Sequence, residues 1–155
     1  IRPKLIFVGG HEPRYLNELK AYISTHQLYE QVTFISHTAH PWTFVESSDC
    51  VLVCSLNEAF GRVTVEGMKA GRIVVASNSS AGPEIINHGK TGFLFSPSAP
   101  KELAQILKDL YFSDDLSKIA QKGQITALEN YNADKHSEQI EKIFEKLRIN
   151  QPTIN

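Results

Sequence analysis

A chain of 155 residues with 41% hydrophobic content can bury one sizeable core, and any second domain would have to be very small. With 16 basic against 17 acidic residues the net charge is -1, so no global field draws in nucleic acid or an anionic membrane. No window reaches the roughly 18 to 20 continuous apolar residues of a spanning helix, and the start lacks the basic, apolar and small-residue succession of a secretory signal; a cytoplasmic protein is expected.

"KLIFVGG" at residues 4–10 is an apolar run ended by Gly9 and Gly10, the pattern of a buried parallel strand meeting a turn. A helix follows over residues 12–28, with Pro13 suited to its first turn and Tyr15, Leu16, Leu19, Tyr22 and Ile23 spaced as one apolar face. "VTFIS" at 32–36 is short and β-branched, hence a strand. Residues 40–49 predict a short helix with Pro41 near its start and Trp42 in the core, and "CVLVCS" at 50–55 predicts the third strand. A helix then leads to a fourth strand at 72–77, a single helical turn in "GPEIINHG" and a short strand at 92–95. Three helices close the pattern, at 100–112, 114–130 and 133–147, with Tyr111, Phe112, Ile140, Ile143, Phe144 and Leu147 as packing residues and a frayed tail at 150–155.

Cys50 and Cys54 share one strand, where four residues separate their Cα atoms by about 13 Å, beyond disulfide reach. They read as small buried hydrophobes, with a CxxxC metal or redox pair as the weaker alternative. His37 and His40 lack a third ligand for zinc, and Lys90 in "GKTG" lacks the glycine spacing of a phosphate loop and reads as a turn. Glu84 either approaches a ligand or merely begins a helical turn. Since Ile1 replaces an initiator methionine and the first strand begins almost at once, a piece of a longer protein is expected.

Strands and helices alternating through short connections predict an α/β, three-layer domain with a parallel sheet, whose ligands bind at the carboxyl ends of the strands. Gly9-Gly10, residues 36–38, "SLNEAFG" and "SNSSAGPE" leave strand ends on that edge. In "SLNEAFGRVTVEGMKAG", residues 55–71, Gly61 stands where loop becomes helix. The first amides of a helix lack internal acceptors and carry its partial positive end, so they suit a phosphate. Glu58 lies before that start and Glu66 one turn inside it. Carboxylates accept hydrogen bonds from hydroxyls, and hydroxyls on both sides of a diphosphate describe a nucleotide sugar. An ordinary solvated helix face would also carry two such glutamates, so spacing alone leaves both readings open.

The same stretch, with Ser55, Glu58, Phe60, Gly61 and Glu66, resembles the E-x7-E segment of the family 4 retaining glycosyltransferases. The resemblance runs over about residues 4–112, including "LIFVGG", "SSDCVLVCS" and "SNSSAGPEIINHGKTGFLF". It implies the Rossmann-like C-terminal half of a GT-B enzyme. By that resemblance Glu58 is the catalytic residue and binds the transferred sugar, the amides of Phe60, Gly61, Arg62 and Val63 hold the diphosphate, and Ala59 belongs to the same donor-binding stretch. Glu66 takes the ribose hydroxyls, Gly9 and Gly10 flank the donor, and the loop with His37 and Thr38 lies along the base. The implied donor is a UDP- or GDP-sugar, used with retention and without metal or other cofactor. The acceptor, a sugar or lipid-linked glycan, falls to an N-terminal domain that this chain does not include; the whole enzyme is expected to bind the inner membrane face peripherally and not to bind nucleic acid. The Arg and Lys that relatives bring to the diphosphate from just upstream are also missing, so the chain alone is expected to be inactive. A nucleotide-sugar epimerase of the same fold and a non-catalytic nucleotide-binding module are the competing readings.

Overall fold

The computed structural model describes residues 3–10 and 12–149. The tail at 150–155 and the side chain of Leu147 lie outside the described residues. The chain is α/β, every strand pair is parallel, and it divides into two compact units, Ile1–Ser47 and Ser48–Asn155.

The first unit runs β1 (Leu5–Val8), α1 (Pro13–Thr25), β2 (Val32–Ile35), α2 (Trp42–Glu46). Leu5 pairs with Val32 and Val8 with Ile35, and Phe7 stacks on Phe34 with ring centroids 5.1 Å apart. Glu12 starts α1: its carboxylate accepts from the amides of Arg14 at 3.1 Å and Tyr15 at 2.7 Å, which have no helical acceptor. Ile23 is buried and Leu16 and Leu19 half-buried, but Tyr15 and Tyr22 face solvent, Tyr22 stacked on His26. Two further expectations fail in this unit. Leu5, Ile6 and Val8 are exposed, in a sheet of two strands where a continuous apolar run predicts burial on both faces. Trp42 is also exposed, with its indole N–H donating to Glu46 Oε1 at 2.6 Å one turn on.

The second unit runs β3 (Cys50–Val53), α3 (Arg62–Lys69), β4 (Ile73–Ser77), α4 (Gly82–Ile85), β5 (Phe93–Phe95), α5 (Pro100–Tyr111), α6 (Leu116–Asn130), α7 (Ala133–Ile149). Its sheet has the order β3-β4-β5, and every residue of the central strand is buried. The pleat sends alternate residues of β4 to opposite faces. Val74 and Ala76 pack with Val53, Val65, Met68, Ile85 and Ala127; Ile73 and Val75 pack with Phe95, Leu110, Leu103, Ile106 and Leu107. These are the three layers: α3, α4 and the end of α6 on one face, α5 and the start of α6 on the other. Gly67 brings α3 close to the sheet, since a Cβ there would lie 2.9 Å from Val74 Cγ2 and 3.2 Å from Val51 Cβ. Lys69 Nζ donates to Tyr131 O at 2.7 Å and Gln124 Nε2 to Lys69 O at 2.9 Å, fastening the end of α3 to α6.

Tyr111 and Phe112, expected to pack, stand exposed edge-to-face against each other at the end of α5. Ile140, Ile143 and Phe144 are exposed on α7. Their spacing identifies the apolar face of a helix, and spacing carries no information on what covers it. Cys50 and Cys54 are both free, Cys50 half-buried and Cys54 exposed, so only the first fits the expectation of a buried hydrophobe. No helix among the described residues is long and apolar enough to cross a membrane.

Candidate functional site

The loop from β3 to α3 turns at Gly61, whose φ of 75° and ψ of 35° are left-handed. A Cβ there would meet Ile85 Cδ1 of α4, the far end of a side chain that can turn aside, so it is the left-handed backbone that calls for glycine. Val65 N–H makes the first helical bond, to Gly61 O at 3.0 Å. The amides of Arg62, Val63 and Thr64 therefore precede the ladder, and no side chain caps them. They form the positive end of α3 at the carboxyl edge of the sheet, a geometry suited to an anion. Arg62, Val63, Glu66, Ala59 and Phe60 are exposed around it, Phe60 by 63%.

Glu58 is half-buried and held at both its main chain and its side chain. Its carbonyl accepts from Ala81 N–H at 3.2 Å, and Oε1 accepts from Gly61 N–H at 3.1 Å. The Gly61 amide, expected among the diphosphate donors, is here committed to Glu58, because a carboxylate three residues upstream can fold back onto a turning backbone.

The loop after β4 supplies residues that the sequence reading named only as a segment. Ser77 is buried, and its Oγ lies 3.1 Å from Ser79 Oγ; Ser79 Oγ donates in turn to Ser55 O at 3.4 Å. With Val53, Glu58 and Thr64 these serines line one crevice. The run of hydroxyls in "SNSS" immediately after a buried strand was the available signal. Glu84 is exposed in α4, and its carbonyl accepts from Tyr131 O–H at 3.4 Å. Lys90 sits in the turn closed by its own N–H to Asn87 O at 2.9 Å, as expected.

Gly9, Gly10, His37 and Thr38 belong to the first unit, at the carboxyl edge of its own sheet. Gly9 ends β1 with φ 131° and donates its N–H to Ile35 O at 3.1 Å. His37 is exposed, and Thr38 Oγ1 accepts from His40 N–H at 3.1 Å. Among the described residues no three His, Cys, Asp or Glu side chains are placed to hold a metal ion.

Comparison with known proteins gives a consistent picture. Residues 1–126 match the family described as glycosyl transferases group 1. The human alpha-1,3/1,6-mannosyltransferase ALG2 is 29% identical, over 96% of this chain and 38% of its own length. Anabaena HepE, solved in complex with UDP, superposes with a TM-score of 0.88 at 29% identity, over 93% of this chain and 41% of HepE. The C-terminal domain of the group 1 glycosyl transferase LpcC from Francisella tularensis has a TM-score of 0.76 at 28% identity, over 84% of this chain and 70% of that domain. The chain thus spans about two fifths of the length of the full-length relatives it matches.

Proposed function

The chain belongs to the glycosyl transferases group 1 family, and we propose that it is the donor-binding half of a longer enzyme that moves a glycosyl group from a nucleotide-diphosphate sugar to an acceptor. The observation that carries this reading is the left-handed Gly61 opening an uncapped helix end at the carboxyl edge of a parallel sheet, with one carboxylate on either side in sequence. HepE, a relative of the same fold, has been solved with UDP and with UDP-glucose, which supports a diphosphate ligand here.

In this proposal the amides of Arg62, Val63 and Thr64 hold the diphosphate, Glu66 accepts from the ribose hydroxyls, and Glu58 accepts from the transferred sugar and stabilises its developing positive charge. The bond from the anomeric carbon to the phosphate oxygen breaks as the acceptor oxygen bonds to the same face. The acceptor proton passes to the departing phosphate, so configuration is retained with no protein nucleophile and no metal. The acceptor is a sugar or a lipid-linked glycan bound by another part of the full-length protein, working from the cytoplasmic side, and this half alone does not turn over.

Titration calorimetry on the full-length protein with UDP and GDP tests the reading. One of the two should bind, and Glu66→Ala should weaken it about tenfold or more, the range for losing a hydrogen bond to a charged group. Failure of both nucleotides to bind would overturn it.

A further inference from the structure

We propose that Ser79 is a positioning residue that sets where the Glu58 carboxylate stands, an inference that rests on the sugar-binding role of Glu58 proposed above. Glu58 lies in the loop leaving β3, and three contacts join that loop to the one leaving β4. Ala81 N–H donates to Glu58 O at 3.2 Å. The side chains of Ile85 and Ala81 occupy the space beside Gly61, with Ile85 Cδ1 where a Cβ would fall. The third contact is Ser79 Oγ to Ser55 O at 3.4 Å, at the point where the Glu58 loop departs from its strand.

Ser79 is the one of these partners that acts through its side-chain hydroxyl. That hydroxyl is also beside the buried Ser77 Oγ, at 3.1 Å, so the β4 end, the Ser79 turn and the Ser55 carbonyl form one polar chain. The turn itself cannot slide to compensate. Gly82 N–H is bonded to Ser79 O at 3.0 Å, and Gly82 packs so closely on Ser77 O that a Cβ would collide with it. Removing the Ser79 hydroxyl releases the Ser55 carbonyl and leaves the Ser77 hydroxyl short of a partner in a buried place. The loop regains freedom at its β3 end, three residues from Glu58. The uncapped amides of α3 and the exposed Glu66 lie beyond Gly61, on a helix anchored separately by Lys69 and Gln124. Loss of Ser79 should therefore disturb recognition of the sugar and spare that of the nucleoside diphosphate.

The test measures UDP against UDP-glucose, and GDP against GDP-mannose, by calorimetry on the full-length protein carrying Ser79→Ala, Glu58→Gln, both changes, or Ser79→Thr. For whichever nucleotide binds, Ser79→Ala should reduce the affinity gained from the sugar about three- to tenfold, as expected for one hydrogen bond, with the nucleoside diphosphate affinity held within about twofold. Ser79→Thr, which keeps the hydroxyl, should restore it. The double variant should lose no more than the larger single loss, since both changes act on one carboxylate. An unchanged sugar increment in Ser79→Ala, an equal loss for nucleotide and nucleotide sugar, or additive losses in the double variant would overturn the inference. Absence of any nucleotide binding by the unaltered protein would instead overturn the donor reading on which it rests.

Discussion

At the residue scale, Gly61 combines a left-handed backbone with a side-chain position already filled by Ile85. Left-handed backbone costs an L-residue about 1–2 kcal/mol, while the Ile85 methyl can turn aside. Gly61→Ala should accordingly lower stability by about 1–2 kcal/mol in urea titration, and a loss below about 0.5 kcal/mol would show that the turn relaxes freely. The two cysteines offer a second contrast. Burial, reinforced by the nearby Asp49 charge, pushes the Cys50 thiol up to about 12. Desolvation raises the Cys54 thiol as well, yet Cys54 stays open to solvent. Because the thiolate is the reactive form, a maleimide at neutral pH should modify Cys54 first and Cys50 only under denaturant, read by peptide mass mapping. Gly61 and its helix start were legible in sequence because one glycine before an apolar helical pattern has few roles. The commitment of its amide to Glu58 was not, since loop side chains choose between neighbours by tertiary geometry.

At the element scale, four helix starts were readable, each for a chemical reason. Proline stands in the first turn of α1, α4 and α5, and Gly61 stands at the cap of α3. Which face each element buries followed from period only where a second layer exists to meet it, as on β4; on β1 and α7 the same apolar pattern faces solvent. The start of α5 makes a pH-dependent prediction. Ser96 N–H donates to Glu102 Oε2 at 2.9 Å, and that bond holds the Glu102 carboxyl below its ordinary value. A carboxyl lowered in the folded state contributes stability above its unfolded pKa and loses it as pH falls through the folded one. Glu102→Gln should thus shift the urea midpoint downward at pH 7, and the gap to the unaltered protein should close in the acid range below the ordinary carboxylate pKa. A gap of constant size across that range would show that the charge of Glu102 adds nothing to the bond.

At the scale of the whole molecule, burial is unevenly divided. Among the described residues, the buried hydrophobic side chains all belong to the second unit except Ile23. Met68, Val74 and Val75 there are fully buried, Met68 of α3 packing with Val74 on one face of a three-stranded sheet and Val75 lying in the cluster on the other. The first unit rests instead on one parallel strand pair, the Phe7 and Phe34 stack and a single buried isoleucine. Stability within a chain follows such local density, and opening free energies run from near zero up to the global value. Hydrogen exchange by mass spectrometry should therefore find the β1 and β2 amides exchanging well before those of β4, which should open only with global unfolding. Met68→Ala, at a cost of about 2–5 kcal/mol for a large buried side chain, should speed exchange in β4 and α3 and leave β1 and β2 nearly unaltered. Equal protection of β1, β2 and β4, or a uniform response to Met68→Ala, would mean that the two units unfold as one cooperative body despite their unequal cores.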